Sequence, residues 1–128
     1  MTAHSPNIIA NSFISCATHN GNGEVIIYGD RRITWSQLLP RVFKVANTLI
    51  ELGVERGDKV AFVFHNTPEF LEINFGIHAA GGVPAPMNYR FIPREVEHQG
   101  NHCDARVFLY DSIWKESVEA AAPRLENV

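Results

Sequence analysis

The sequence has little cysteine and no long apolar run. Its two cysteines, Cys16 and Cys103, lie far apart and outside any paired motif, which favours reduced packing thiols over a disulfide framework. The longest apolar run, Val60 to Phe64, is far shorter than the roughly 20 residues that a membrane helix needs. Residues 1–19 lack the positive segment and apolar core of a secretory signal. We therefore expect a cytoplasmic protein without a transmembrane segment.

An excess of positive charge is also missing. The formal net charge is -3 and the pI is about 6.0, so the chain lacks the basic surface that binds a phosphate backbone, and we expect no nucleic-acid partner. With 128 residues, 45% of them hydrophobic, and no biased or repeated stretch, the chain is of the size and composition of one globular unit.

The glycine motifs that hold nucleotide phosphates are absent from the sequence. Neither G-x-x-x-x-G-K-[ST] nor G-x-G-x-x-G occurs, and Gly21-Asn22-Gly23 precedes a predicted strand instead of following one. These glycines are therefore interpreted as turn residues, and no phosphate loop is predicted.

The first half of the chain predicts a helix, a hairpin and a longer helix. Weak helical spacing covers Ile8 to Thr18, and two β-branched runs flank the turn Gly29-Asp30. Thr34 and Gln37 form a capping-box pattern, after which a broad apolar stripe continues until Gly53. The stripe comprises Leu38, Leu39, Val42, Phe43, Val45, Ala46, Leu49 and Ile50.

The second half alternates strands and helices. A run without alternation, Lys59 to Phe64, predicts a strand covered on both faces, and Thr67-Pro68 begins an apolar helix that ends at Gly81. The passage "GGVPAP" predicts a short strand whose prolines fit a sheet edge. Next come a helix from Pro93 to about Asn101, a second buried strand from Val107 to Tyr110, and a helix over about 112–122.

This order predicts an α/β fold. Parallel βαβ crossovers would form a mostly parallel sheet with helices on both faces, preceded by the N-terminal helix and β-hairpin. Because so few strands with apolar sides on both faces would need further covering, we expect a partial domain of a larger fold.

A metal site is the sharpest local hypothesis. His98 and His102 are four residues apart on a predicted helix, and Cys103 and Asp104 follow at once. Gly100 weakens that helix, and histidines near a helix end also interact favourably with its dipole. We favour the structural interpretation and predict no metal ligand.

Other reactive side chains also have simple structural interpretations. Cys103 is predicted to be a packing residue, and His65 and His78 core or boundary histidines. Glu69 is expected to stabilise a helix start and Glu72 to lie on a solvated face.

Lys115 follows a strand end, where it could touch an anionic ligand, but a surface lysine is the favoured interpretation. Whether Asn88 or Tyr89 touches a substrate stays open. We name no catalytic residue, and cofactor-binding residues stay unknown.

Three segments together resemble the N-terminal region of AMP-forming acyl-CoA synthetases, in the adenylate-forming superfamily. They are "ITWSQL" (33–38), "LGVERGDKVAFVFHNTPEFLEINFGIHAAGGVPAPMN" (52–88) and "PREVEHQGNHCDARVFLYD" (93–111). Trp35 stands where the first family motif has an aromatic residue, and Cys103 replaces the serine of an Asn-His-Ser-Asp-Ala-Arg run. This likeness also gives His102 and Cys103 an explanation without a metal.

The resemblance implies an activity for a longer parent enzyme. Such an enzyme joins ATP and a carboxylate into an acyl-adenylate, releases pyrophosphate and passes the acyl group to coenzyme A, with Mg²⁺ offsetting charge. The phosphate loop and the mobile lysine of this family come after the matched region. Residues 1–128 are thus expected to be the N-terminal part of the large domain, with no cofactor of their own and no synthetase activity alone.

Two alternatives remain at this point. The chain could be a stand-alone, non-catalytic α/β interaction or regulatory module, or part of an adenylation domain that activates amino acids. A fragment should present a large apolar face, and we therefore also expect a homodimer formed through exposed apolar surface.

Overall fold

The computed structural model describes residues 8–128, and their element order confirms the predicted α/β class. In chain order the elements are α1 (Ile8–His19), β1 (Glu24–Tyr28), β2 (Arg31–Thr34), α2 (Trp35–Glu51), β3 (Lys59–Val63), α3 (Pro68–Ala79), β4 (Val83–Pro86), α4 (Pro93–His102), β5 (Ala105–Tyr110) and α5 (Lys115–Ala121). Short 3₁₀ turns, Ser112–Trp114 and Ala122–Arg124, flank α5. Within residues 8–128, no helix has the length and apolarity to cross a membrane.

The main sheet has three parallel strands in the order β4-β3-β5, and β1 and β2 form a separate antiparallel hairpin. The central strand β3 has apolar residues on both faces, as its sequence predicts: Val60 and Phe62 pack with residues of α2 and α3, whereas Ala61 and Val63 pack towards α5. Helices therefore cover both faces. A third cluster joins α1, the hairpin and α2 through Phe13, among others.

The predicted helix signals are confirmed. The backbone N–H of Thr34 donates to the Gln37 side chain at 2.9 Å where α2 begins, and Pro68 is in the first turn of α3. Gly53 and Gly81, just beyond the ends of these helices, have φ angles of +87° and +85°. Glycine adopts this left-handed backbone without steric cost, so each helix ends where its sequence indicates.

The prolines of β4 lie at a sheet edge, as predicted. The backbone N–H of Val83 donates to the carbonyl oxygen of Asp58, the residue before β3, and the N–H of Met87 donates to the carbonyl oxygen of Phe62 in β3, at 2.8 Å each. Because backbone groups alternate along a strand, Pro84 and Pro86 occupy the positions that face away from β3.

Two predictions of burial were too strong. β5 is a half-buried strand over Val107–Tyr110, because it is an edge strand of this sheet and has β3 on one side only. In α2, the predicted stripe is too wide: Phe43 and Ile50 are 39% and 54% exposed, and the fully buried positions are Leu38, Val42, Ala46 and Leu49.

Candidate functional site

Three aromatic rings meet at the carboxyl edge of the parallel sheet. His65 follows β3, Tyr89 follows β4 and Trp114 follows β5, and parallel strands bring these loops to one edge. The His65 ring centroid lies 4.9 Å from that of Tyr89 and 4.6 Å from that of Trp114. The loops after all three strands are therefore joined by one aromatic cluster.

Polar contacts hold this aromatic cluster in place. The indole N–H of Trp114 donates to the backbone carbonyl oxygen of Tyr89 at 2.9 Å. The Asn88 side chain accepts from the backbone N–H of Arg90 at 2.9 Å, and Asp111 accepts from the N–H of Ile113 at 3.3 Å. These bonds order the loops after β4 and β5 just beyond their strand ends.

Cations flank the aromatic cluster. The Arg90 guanidinium lies 5.5 Å from the centroid of the Tyr89 ring. Lys115 is exposed, and its ammonium is 3.8 Å from Glu119 on the next turn of α5. His65 is exposed, and Tyr89 is 41% exposed. Accessible rings beside positive charge can stack on a planar group and attract an anion attached to it.

The histidines proposed as metal ligands share a helix face, but their neighbours in sequence do not join them. The rings of His98 and His102 lie 5.8 Å apart and nearly parallel on α4. Cys103 packs against the core next to α5 instead, and the side chain of Asp104 accepts from Asn127 at 2.6 Å. The four residues therefore do not converge.

Cys103 has the surroundings of a packing residue, as predicted. It is half-buried, and its Sγ donates to the Gly100 carbonyl oxygen at 3.5 Å. Burial raises the pKa of the Cys103 thiol, which disfavours the nucleophilic thiolate. Burial also lowers the pKa of His78, which lies partly buried in the last turn of α3.

Glu69 stabilises the start of α3, as predicted. Burial alone would raise the pKa of its carboxyl, but hydrogen bonds from its own backbone N–H and the Thr67 hydroxyl, with Arg31, lower that pKa below its usual value. Arg31 lies 3.2 Å from the Glu69 carboxylate.

The prediction for Glu72 was wrong. This residue is only 5% exposed and forms an ion pair with Arg41 of α2, at 2.5 Å between Nε and Oε1. The Glu72 carboxylate raises the pKa of Arg41. No local pattern predicts this pair, because the two residues lie on different helices.

The glycine pair before β4 does not fit a triphosphate. The N–H groups of Gly81 and Gly82 already donate to the carbonyl oxygens of His78 and Ile77, at 3.0 and 2.9 Å. A Cβ on Gly82 would lie 3.1 Å from the Ile77 side chain, so this glycine is closely packed by protein. Over the described residues, no three His, Cys, Asp or Glu side chains are grouped as metal ligands. We therefore assign no triphosphate to this glycine pair.

The fold and its carboxyl edge define a parallel α/β unit of the kind that binds ligands where its strands end. A family model described as "AMP-binding enzyme" matches residues 13–128. The chain belongs to the AMP-binding enzyme family.

Individual relatives agree with this assignment. The chain is 38% identical over 93 residues to 4-hydroxybutyrate–CoA ligase 2 of Metallosphaera sedula, which covers 73% of this chain and 17% of that protein. It is 36% identical over 102 residues to a feruloyl-CoA synthase of an Amycolatopsis species, with 79% and 21% covered. It thus spans about a fifth of the length of these curated relatives.

A solved structure shows the same fold. The anthranilate CoA ligase AuaEII, in complex with anthranoyl-AMP, superposes with a TM-score of 0.87 over 94% of this chain and 23% of that one, at 23% sequence identity. The described fold is therefore part of a larger one in that enzyme.

Proposed function

We propose that residues 1–128 are the N-terminal part of the large domain of an ATP-dependent acyl-CoA synthetase. The parent enzyme would join a carboxylic acid to AMP, with release of pyrophosphate, and then transfer the acyl group to the thiol of coenzyme A. The observation that carries this proposal is the family match over residues 13–128, supported by relatives whose names describe CoA ligases.

This chain would contribute a binding wall, by which we mean the exposed side chains of His65, Tyr89 and Arg90 at the carboxyl edge of the sheet. ATP and coenzyme A both carry a planar adenine and phosphates, which the exposed rings of His65 and Tyr89 and the charge of Arg90 suit chemically. The phosphate loop and the Mg²⁺ ligands would be supplied by residues elsewhere in the parent, since the Gly81-Gly82 pair is already hydrogen-bonded and the described residues hold no group of three candidate metal ligands. The chain alone should accordingly have no synthetase activity.

For the substrate of the parent enzyme, we propose a chemical class and no individual compound. The substrate would be a carboxylic acid such as a fatty or an aromatic acid, which would give the parent a role in fatty-acid or related acyl metabolism. An amino-acid-activating adenylation domain is disfavoured because the relatives reported above are named for CoA products. The two free cysteines suit a reducing, cytoplasmic location.

A chimera tests this function. Residues 13–128 would replace the matching segment of the Metallosphaera sedula ligase, and pyrophosphate release and CoA thioester formation would be measured with its own acid. We expect both activities to be retained. A folded chimera that releases no pyrophosphate would contradict the proposal and favour a non-catalytic interaction module.

Substitutions in the chimera test the binding wall separately. Arg90→Ala should raise KM for coenzyme A or ATP about tenfold, as the loss of one cationic contact would do, with little change in kcat. Arg94→Ala removes an exposed arginine from α4 and should leave both KM values unchanged. Equal effects of the two substitutions would remove the carboxyl edge from the binding site while leaving the ligase assignment intact.

A further inference from the structure

The turn between α1 and β1 contains two Asn-Gly pairs, Asn20-Gly21 and Asn22-Gly23. In such a pair the backbone nitrogen of the glycine can attack the side-chain amide of the asparagine, because glycine has no Cβ that hinders the approach. Neither pair takes part in the function proposed above. Whether each pair reacts then depends on the hydrogen bonds of its glycine nitrogen, since a bonded N–H must first be released.

The backbone nitrogen of Gly21 is available to attack Asn20. Over residues 8–128, the N–H of Gly21 donates no hydrogen bond, whereas the N–H of Asn20 donates to the Cys16 carbonyl oxygen at 2.9 Å. The Gly21 nitrogen can therefore lose its proton and attack without first breaking a hydrogen bond.

The Asn20 side chain lies over the residues that follow it. A Cβ built on Gly23 would lie 2.6 Å from Cγ of Asn20, so the carboxamide folds forward over the turn and not back along α1. Asn20 is exposed, and within the described part of the chain its carboxamide forms no hydrogen bond. The carbon that would be attacked is thus on the same side of Asn20 as the attacking nitrogen, and no polar contact holds it away.

The second Asn-Gly pair is protected by the hydrogen bond that closes the turn. The N–H of Gly23, which would attack Asn22, donates to the Asn20 carbonyl oxygen at 2.8 Å. This bond must break before the Gly23 nitrogen can attack. Asn22 is exposed, as Asn20 is, so exposure does not distinguish the two pairs and the hydrogen bond does.

We propose that Asn20 is a site of spontaneous covalent modification, at which the side-chain amide is lost and the backbone rearranges. The Gly21 nitrogen gives its proton to solvent and bonds to Cγ of Asn20, the bond from Cγ to Nδ2 breaks, and Nδ2 takes a proton from solvent and leaves as ammonia. A succinimide ring remains, which water opens at either carbonyl. Opening at Cγ gives aspartate, and opening at the main-chain carbonyl gives isoaspartate, whose peptide bond runs through Cγ. The net change exchanges water for ammonia and adds one negative charge.

Isoaspartate at this position disturbs the start of α2. The Gly21 carbonyl oxygen accepts from the backbone N–H of Ser36 at 2.9 Å and also from the Ser36 hydroxyl. The Gly23 carbonyl oxygen accepts from the N–H of Trp35 at 3.1 Å. These are the first N–H groups of α2, which have no partner within the helix. Because isoaspartate adds a carbon to the backbone before Gly21, it displaces these acceptors and weakens the connection of α1 to α2.

Peptide mapping by mass spectrometry measures both pairs in one sample of the folded chain kept in mildly alkaline buffer. We expect Asn20 to be modified roughly five- to tenfold faster than Asn22, the factor that breaking one hydrogen bond contributes. In urea, where the turn is unfolded, the two rates should become equal. Equal rates in the folded chain, or a faster Asn22, would overturn the proposal. A ratio unchanged by urea would also overturn it, because the fold would then not select Asn20.

Two matched substitutions test the site and its effect. Glutamine has a longer side chain that cyclises far more slowly, so Asn20→Gln should remove most of the isoaspartate that the folded chain forms, as labelling by a protein isoaspartate methyltransferase would show. Asn22→Gln makes the same change two residues later and should leave that labelling unchanged, and the reverse result would refute the assignment. A chain aged until isoaspartate dominates at Asn20 should melt roughly 3–8 °C lower by circular dichroism. An aged chain with an unchanged Tm would contradict the effect on α2.

Discussion

Helices α2 and α3 approach each other closely at Gly76, and replacing this glycine with alanine tests how tightly the two helices pack. A Cβ at this position would lie 2.5 Å from Val45 Cγ1, 2.6 Å from Val45 Cβ and 3.2 Å from the Val42 carbonyl oxygen. The first two distances are far inside van der Waals contact. Neither Val45 Cβ nor a main-chain carbonyl can rotate away, so the helices themselves would have to separate.

Two opposing effects set the size of the change. Alanine is favoured over glycine in a helix interior by about 1 kcal/mol, whereas overpacking a close contact costs typically 1–3 kcal/mol. Because rigid atoms form this contact, we take the upper part of that range and expect Gly76→Ala to lower the free energy of unfolding by about 1–2 kcal/mol. For a chain of 128 residues, that corresponds to a fall in Tm of roughly 3–8 °C.

Urea unfolding followed by circular dichroism would measure this difference, and a second glycine supplies the control. A Cβ at Gly100 of α4 would lie 2.6 Å from Leu125 Cδ2, the free end of a flexible side chain that can move. Gly100→Ala should therefore keep most of the gain of about 1 kcal/mol from helix propensity and should not destabilise the chain. If Gly76→Ala were as stable as the unmodified chain, the helix contact would not be the tight one described. Adding Val45→Ala should recover much of the Gly76→Ala loss.

Three further predictions concern charge and reactivity. Arg41→Met should destabilise the fold by about 1–3 kcal/mol in urea unfolding because it leaves the buried Glu72 carboxylate without its cation. Arg41→Lys keeps a cation and should lower the free energy of unfolding by less. Equal losses of stability in the two variants would argue against an electrostatic cause. Iodoacetamide should label exposed Cys16 at least tenfold faster than Cys103, whose thiol pKa is raised by burial, as peptide mass mapping would show. Burial lowers the pKa of His78 below its ordinary 6.5, so the unfolded chain binds the proton more readily than the folded one. The stability present above pH 6.5 is therefore lost as the pH falls through the folded pKa. His78→Gln should flatten this loss between pH 7 and 5, and an unchanged slope would refute it.

The order of the elements could be predicted because each carries a local signal. Thr34, Pro68 and the prolines of β4 act on their own backbone, and the glycines after α2 and α3 end each helix where the sequence indicates. Such signals need no knowledge of the partners in space. The depth of burial is different, because it depends on which elements are neighbours, and so β5 was predicted to be more deeply buried than it is.

The Arg41 and Glu72 ion pair shows why polar contacts between helices are hard to predict from the sequence alone. On α3 the position of Glu72 resembles an exposed one, and only the approach of α2 buries it. Gly76, one turn later, allows that approach. Gly76 lies four residues after Glu72 on a helix that is otherwise apolar. A small residue at this spacing indicates close helix packing, although it does not identify Arg41 as the partner of Glu72.

The aromatic cluster could have been predicted in part. The rule that ligands bind where parallel strands end was applied to Lys115 alone, but it also brings His65, Tyr89 and Trp114 to one edge once all three strands are parallel. What the rule lacks is the strand order, which determines that the loops after β4 and β5 both flank the loop after β3.

The prolines of β4 supply part of that order. Prolines at alternate positions exclude β4 from the centre of a sheet, and the run of apolar residues in β3 favours a strand covered on both faces, with neighbours on both sides. With three parallel strands, these two constraints leave β5 as the second edge, which is the order found here. Among the described strands, the outward positions of β4 are prolines without an N–H, whereas the outward positions of β5 keep theirs, so the two edges of this sheet differ in their capacity to pair with a further strand.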